Sequence, residues 1–526
     1  MTDISGPGYL LPIEWVMIGI FIVGVLSWGV YMKSRVASLS DSFLAGRKVP
    51  GVIAAMSSIA TNFNTNDFIG GVGAAYAVGI VFVHQNLLSS LVLVVLSMVL
   101  LRRIRAANVF TLGEWLGERY SPSVGAIYSI IWAFVWMLVN LGLYIYSGAV
   151  VLHTLAGWNL YASIIILTII AATYTLLGGF GAVVATDVLQ MVLMFFPFIF
   201  LVPRILIAAG GLDGIAHGVP ASHTSLWSSE TPLGHIGMII GGAFLLTMSY
   251  WSSEAQMIQR PLSARSADDA AVSYLGVGFW HTLVTPFVII IPGIAAIKLF
   301  PDLPNNDFAM PMMIRTLVPR GLYGITIVGL MAGFLSSADS QINAFCTMFT
   351  RDIYERMLVP GRGTGHYLRV SKIAGIIFTA AAIVTAVAFS FAKHGMMLMA
   401  LSILATIMPP SATVIILGAI WRRAGKTGAL WGLVCGLATG LALAVLDMTG
   451  ELTFIADNTM YFRTIMTIAI TALVTAVISL IKHESDTYEP VVSEPVKGPW
   501  YENPHILAPL LLLSAVGMYI FLSIVL

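Results

Sequence analysis

The chain has 526 residues, 58% of them hydrophobic and only 10% charged, with a formal net charge of +1. Soluble globular proteins carry about 25% charged residues, so a water-soluble surface is excluded, and the lack of a basic cluster excludes a nucleic-acid partner. The two cysteines, Cys346 and Cys435, lie in apolar segments and supply neither a disulfide framework nor a metal site.

A hydrocarbon core about 30 Å thick takes about 20 apolar residues per helix. By that measure the sequence predicts an all-α membrane protein with fourteen spans, at 12–32, 51–78, 80–101, 122–152, 158–177, 182–207, 236–254, 271–299, 322–349, 367–391, 396–421, 428–447, 461–481 and 505–525. The first apolar run, Leu11 to Met32, exceeds the ~7–15-residue core of a signal peptide. Lys33 and Arg35 follow it, which predicts a retained helix with its N-terminus outside. In that orientation 20 of the 26 basic residues, Arg260 among them, fall on inner segments, as the positive-inside bias requires. Both termini are then extracytoplasmic, in the cell (inner or plasma) membrane. The polar stretches 209–235, 300–320 and 483–504 are too short for soluble domains, and 484–504 reads as a tether.

Enzyme signatures fail. Ala424-Gly425-Lys426-Thr427 has the end of a phosphate-binding loop, but the earlier glycine of that motif falls at Ile420. No paired carboxylates, His cluster or nucleophile with a base appears at helical spacing. The Gly-x-x-x-Gly spacings read as helix-packing positions.

An ionisable side chain near a bilayer centre costs roughly 2.5–3.5 kcal/mol on insertion scales, so polar residues inside spans are candidate functional positions. The first such segment, Ser57 to Gly71, holds three Asn, two Thr and Asp67 between apolar flanks. Asn and Asp compete for backbone hydrogen bonds, which predicts a helix broken near Thr61–Asn66 with carbonyls freed to line a cavity. The second segment, Leu246 to Glu254, interrupts the seventh span in the same way. Taking the first span as peripheral, the two breaks open two five-helix units, at 51–207 and 208–425. Residues 1–50 and 426–526 then form peripheral helices. Paired interruptions at matching positions point to a transporter with inverted repeats.

In the third segment, Ser336, Asp339 and Ser340 share one face of a helix at i, i+3 and i+4, with Ser337 beside them. Their hard oxygens suit a small hard cation, while serines alone could bond back to their own helix. Asp187 stands near the inner end of the sixth span, either as part of such a site or as a helix-start charge favoured by the dipole.

These residues carry a family resemblance. Tyr174-Thr175-Leu176-Leu177-Gly178-Gly179-Phe180-Gly181-Ala182 resembles the signature of the sodium/solute symporter family. Asp41-Ser42-Phe43-Leu44-Ala45-Gly46-Arg47, Phe68-Ile69-Gly70, Ile258-Gln259-Arg260, Pro292-Gly293-Ile294-Ala295-Ala296 and Asp352-Ile353-Tyr354 are similar, in order, to its sodium–sugar cotransporter branch. The resemblance implies a five-plus-five inverted-repeat core of leucine-transporter type and sodium-driven symport by alternating access. It also implies a sodium ion held by carbonyls of Ala60, Phe63 and Gly333 and hydroxyls of Ser336 and Ser337. A second sodium, as in some members, would use Asp187, Ser336, Asp339 and Ser340, with Asp339 standing where those members carry serine.

The sugar-binding positions depart from that branch. Gln, Glu, Asn, Lys and Gln of its galactose-transporting member align with Asp67, Asn86, Thr247, Thr282 and Leu401, while Ser89 is kept and Gln85 replaces a gate tyrosine. Tyr250 and Trp251 match the inner-gate aromatic pair, whose other use is packing at the membrane interface. The resemblance therefore implies a symporter whose partners are sodium, a small polar solute and the lipid bilayer. A sugar or polyol fits the hydrogen-bonding groups, and Asp67 keeps an amine open, as other members' amino-acid or organic-acid solutes stay open. Asp67, Asp187 and Asp339 leave proton coupling as the rival to sodium.

Overall fold

The computed structural model describes residues 10–226, 237–303, 305–391, 396–451, 459–484 and 499–525. The expected tether lies mostly outside these residues. Among them the chain is helical throughout, with a single isolated bridge, Val49 to Ala264, in place of any sheet. Among the described residues, ten helical runs are long and apolar enough to cross a membrane, or eleven when Ala267–Leu283 and Pro286–Leu299, bent by 43°, count as one span.

The difference from fourteen lies in how spans join and break. The run Leu160–Ala209 is 50 residues long, about 75 Å at the helical rise and more than twice a ~30 Å hydrocarbon core. It covers both expected spans 158–177 and 182–207. Gly179 breaks it with φ 63° and ψ −171°, a conformation essentially restricted to glycine. A Cβ there would meet the Ser42 carbonyl oxygen at 3.0 Å. The run Asp67–Ala106 likewise joins the second half of span 51–78 to span 80–101 through Gly79, at φ 73°.

Both predicted breaks are present. Helix α1 (Gly51–Asn62) ends at Phe63, which is extended, and the chain resumes helical geometry in a wide turn, Asp67–Gly71. The Asp67 carboxylate accepts the Asn64 backbone N–H (3.1 Å) while the Asp67 N–H returns to the Asn64 carbonyl (3.0 Å). This reciprocal pair satisfies donors left open at a helix start. At the end of the expected seventh span, helices α2 (Thr247–Ser253) and α3 (Ala255–Ser263) meet at Glu254, whose backbone is extended, so the second break falls at the last residue of its segment and Thr247–Ser253 stays helical.

Helix α4 (Tyr323–Met348) runs through the centre, buried from Thr326 to Met348. It packs against α5 (Leu160–Phe195), which carries Tyr174 and Asp187. At the periphery, Gly428, Gly432 and Gly436 lie against Ser479, Thr475 and Thr471, where a Cβ would clash at about 2 Å. The four-residue glycine spacing is thus a close helix contact, the use small residues have in membrane helices. Cys346 is buried, while Cys435 is only partly buried.

Candidate ion and solute site

The last carbonyls of a helix have no partner within it, and α1 ends beside the middle of α4. Ser336 Oγ donates to the Ala60 carbonyl at 2.7 Å and Ser337 Oγ to the Thr61 carbonyl at 2.8 Å. Each hydroxyl also lies within reach of the Gly333 carbonyl of its own helix, at 3.1 and 3.3 Å. The hydroxyls thus bond back to their own helix, as serines alone would, and also bridge to α1. Beyond the break, Thr65 Oγ1 donates to the Leu330 carbonyl at 2.7 Å, which fixes the other half-helix on α4. Ala60, Gly333, Ser336 and Ser337 are thereby brought together, and Phe63 opens the break directly after them. The donors are all oxygen, and among the described residues no group of three or more His, Cys, Asp or Glu could hold a metal ion. Such a set suits a hard cation and not a soft metal.

Asp187, Ser336, Asp339 and Ser340 are all fully buried, but Arg260 reaches between two of them. Its guanidinium pairs with Asp187 Oδ2 at 3.0 Å and donates to Ser57 Oγ (3.1 Å), Thr61 Oγ1 (2.5 Å), the Gln256 carbonyl (2.7 Å) and Ser340 Oγ. Ser57 Oγ in turn donates to Asp187 at 2.5 Å, and the Phe180 ring lies under the guanidinium at 5.3 Å. Asp339 accepts from the Tyr174 hydroxyl and from Ser340 Oγ at 3.0 Å. Asp187 Oδ1 is buried without a hydrogen-bond partner among the described residues.

Two expectations change here. Arg260, counted as an inner-surface charge, is fully buried, because an acid and several hydroxyls on the surrounding helices compensate it together. Asp187 is no helix-start charge: it lies well past the Gly179 break, inside α5, and its partner is Arg260. The signal for this pair was present in Ile258-Gln259-Arg260, a basic residue at the end of a broken membrane helix.

At the α1 break lies a cavity of about 160 Å³, lined there by Asn62 and Phe63. Of the expected solute and gate residues, Asp67, Gln85, Asn86, Ser89, Thr247, Tyr250 and Trp251 line it. Thr282 does not: its hydroxyl bonds Ser90 Oγ at 2.6 Å, on the neighbouring helix. The Leu401 side chain lies outside the described residues. The lining gains Asn62, Asn64, Asn66, Trp136, Asn140, Tyr144 and His281. His281 Nδ1 meets Asn86 Oδ1 at 3.1 Å and its Nε2 meets Asn62 Nδ2 at 3.3 Å. Asn140 Nδ2 donates to the Tyr144 hydroxyl at 3.1 Å, an i,i+4 pair on one helix face that its isolation in an apolar span could have flagged. Tyr250 and Trp251 pack edge to face at 5.3 Å, and Trp136 Nε1 donates to Glu254 at 2.6 Å.

Because Thr282 faces away, Thr282→Val is expected to leave apparent solute affinity within about twofold while lowering stability by about 1 kcal/mol for the lost hydrogen bond. A solute titration that shows a tenfold loss would return Thr282 to the site.

Broken helices around an oxygen-lined junction and a central polar cavity define a secondary transporter. The chain belongs to the sodium:solute symporter family, whose model matches residues 42–436. It is 27% identical over 504 residues to the sodium/glucose cotransporter of Vibrio parahaemolyticus, covering 88% of this chain and 91% of the relative. It is 26% identical over 465 residues to sodium/myo-inositol cotransporter 2 of Bos taurus, covering 81% and 68%. Among solved structures, a substrate-bound outward-open sodium-coupled sialic acid symporter superposes with a TM-score of 0.77 at 19% identity, over 89% of this chain and 98% of that one. A nucleobase-cation-symport-1 family transporter in a closed conformation gives 0.51 at 15% identity, over 83% and 95%. Both share the leucine-transporter fold. The protein is accordingly a multi-pass, sodium-coupled membrane transporter and not an enzyme.

Proposed function

We propose that this chain imports a small hydroxylated solute, of sugar or polyol type, together with sodium by alternating access. The observation that carries this reading is the pair of α4 hydroxyls bonded to the last carbonyls of α1. Sodium at Ala60, Phe63, Gly333, Ser336 and Ser337 takes the place of those hydrogen bonds: the hydroxyls keep their protons, rotate them away and turn an oxygen lone pair to the cation, which joins the two helices more firmly. By linkage, ion binding then raises solute affinity by the same factor that solute raises ion affinity.

Solute binds at Asp67, Asn86, Ser89 and Thr247, with His281 and Asn140 added from the cavity wall. The glucose and inositol relatives and the density of amide groups support a hydroxylated ligand. Gln85 lies on one gate, and Tyr250 with Trp251 closes the other. Fourteen crossings, with the inverted repeats at 51–207 and 208–425 and both termini outside, accommodate this cycle. A membrane potential drives each inward sodium charge by about 2.3 kcal/mol per 100 mV, so uptake is electrogenic. A second sodium at Asp187, Ser336, Asp339 and Ser340 has to displace Arg260 from Asp187 and Ser340, which favours one sodium per solute.

The test is uptake of radiolabelled sugars and polyols into proteoliposomes, with and without an inward sodium gradient. Accumulation that requires sodium and grows with an inside-negative potential is expected. Uptake that ignores sodium but follows a pH gradient overturns sodium as the coupling ion.

A further inference from the structure

This inference rests on the cavity being the solute site. Among the described residues that line it, Asp67 alone carries a formal charge, and no lysine or arginine faces it. One Asp67 oxygen, Oδ2, is engaged by the Asn64 N–H at 3.1 Å, and no ion pair reaches Asp67 among the described residues. His281 is engaged by amides on both ring nitrogens, Nδ1 by Asn86 Oδ1 at 3.1 Å and Nε2 by Asn62 Nδ2 at 3.3 Å. Behind the cavity wall stands a second carboxylate, Glu254, whose Oε2 takes the Trp136 N–H at 2.6 Å. The guanidinium of Arg260 is already committed to Asp187 at 3.0 Å.

The same wall presents the rings of Phe63, Trp136, Tyr144, Tyr250 and Trp251. Aromatic faces beside an uncompensated carboxylate are the environment that attracts an ammonium group, through ring quadrupole and charge together. A neutral sugar would use the amides and leave Asp67 without a counter-charge. An anionic solute would be repelled. The charge balance therefore selects among the hydroxylated ligands that fit.

We infer that the transported solute carries a protonated amine beside its hydroxyls, an amino sugar or amino polyol in class, and that Asp67 is its counter-ion. The amine nitrogen donates to the Asp67 carboxylate and lies against the aromatic wall, while the hydroxyls take the asparagines and Thr247.

The experiment is competition for sodium-driven uptake in proteoliposomes, at a pH about one unit below the ~7.7–8 of an α-amino group. The probes are glucosamine, glucose and N-acetylglucosamine, which differ only at one position. Glucosamine is expected to compete at least tenfold better than either neutral compound, as a charge-assisted contact would give. Asp67→Asn keeps an acceptor for the Asn64 N–H, so the broken helix retains its turn. It is expected to remove the preference for the amine while neutral sugars still compete, and Asp67→Glu to restore part of it. Equal or better competition by glucose overturns the inference and leaves the sugar reading standing. If Asp67→Asn weakens sodium and leaves the amine preference intact, Asp67 belongs to the ion and the inference is overturned as well. Wild-type protein that takes up none of the probes with sodium overturns both readings.

Discussion

Replacing Ser336 and Ser337 together by alanine is expected to abolish sodium-dependent uptake, bringing the ratio of rates with and without sodium to about one. The two hydroxyls are the only side-chain oxygens in the proposed ion set, and each also holds a carbonyl of α1, at 2.7 and 2.8 Å. A contact to a charged group contributes roughly 1.5–3 kcal/mol. Two of them correspond to a loss of about 10²–10⁴ in sodium affinity. The single variants should fall between, with the apparent sodium affinity weakened at least tenfold by either. The fold should persist, since neutral hydrogen bonds contribute only ~1 kcal/mol each. Sodium titrations of uptake, paired with thermal unfolding in detergent, separate the two effects. A double variant that retains wild-type sodium dependence would remove the sodium site from this junction.

The second large effect concerns a pair that binds neither solute nor, in this arrangement, sodium. Arg260→Gln leaves Asp187 as a buried carboxylate without its cation, and Asp187→Asn leaves the guanidinium in the same position. Breaking a buried ion pair from one side costs about 3–5 kcal/mol. Arg260 ties α3 to Ser57 and Thr61 on α1, to Asp187 on α5 and to Ser340 on α4, so the loss should spread across the four helices. The double variant Asp187→Asn, Arg260→Gln removes both charges and should recover most of the stability, since desolvation of both groups is no longer required. Denaturant or thermal unfolding of the three variants measures this directly. Single variants no less stable than the double variant would show that Asp187 and Arg260 are not coupled.

Much of this site was legible in sequence because its signals are local. Three asparagines and an aspartate inside an apolar run mark a helix break wherever the rest of the chain lies, and the break falls at Phe63 and Asn64. Likewise Ser336, Asp339 and Ser340 share a face by helical period alone. The resemblance to sodium–sugar cotransporters then supplied the pairing of α1 with α4, which no local pattern contains.

What failed was rotation and partnership. Thr282 and His281 are adjacent, yet about 100° of helical rotation separates their directions, so His281 lines the cavity while Thr282 bonds Ser90 on a neighbouring helix. An alignment good to one residue cannot choose between them. Continuous helical runs are fewer than the expected spans because some runs hold two spans end to end; in the 50-residue run Gly179 marks the division expected between 177 and 182.

Composition, hydropathy and helical period by themselves determined that this chain lives in a bilayer, that its helices break at two polar segments, and that hard oxygens gather on one face of one helix. Each of these depends on a residue and its near neighbours, through transfer free energy and backbone competition. Only the tertiary structure decided that Arg260 is buried against Asp187, 73 positions away in sequence, and that Asp67 faces the cavity with no basic partner among the described residues. Charge compensation in a low-dielectric interior is settled by distances between helices, and those distances are a property of the packed molecule.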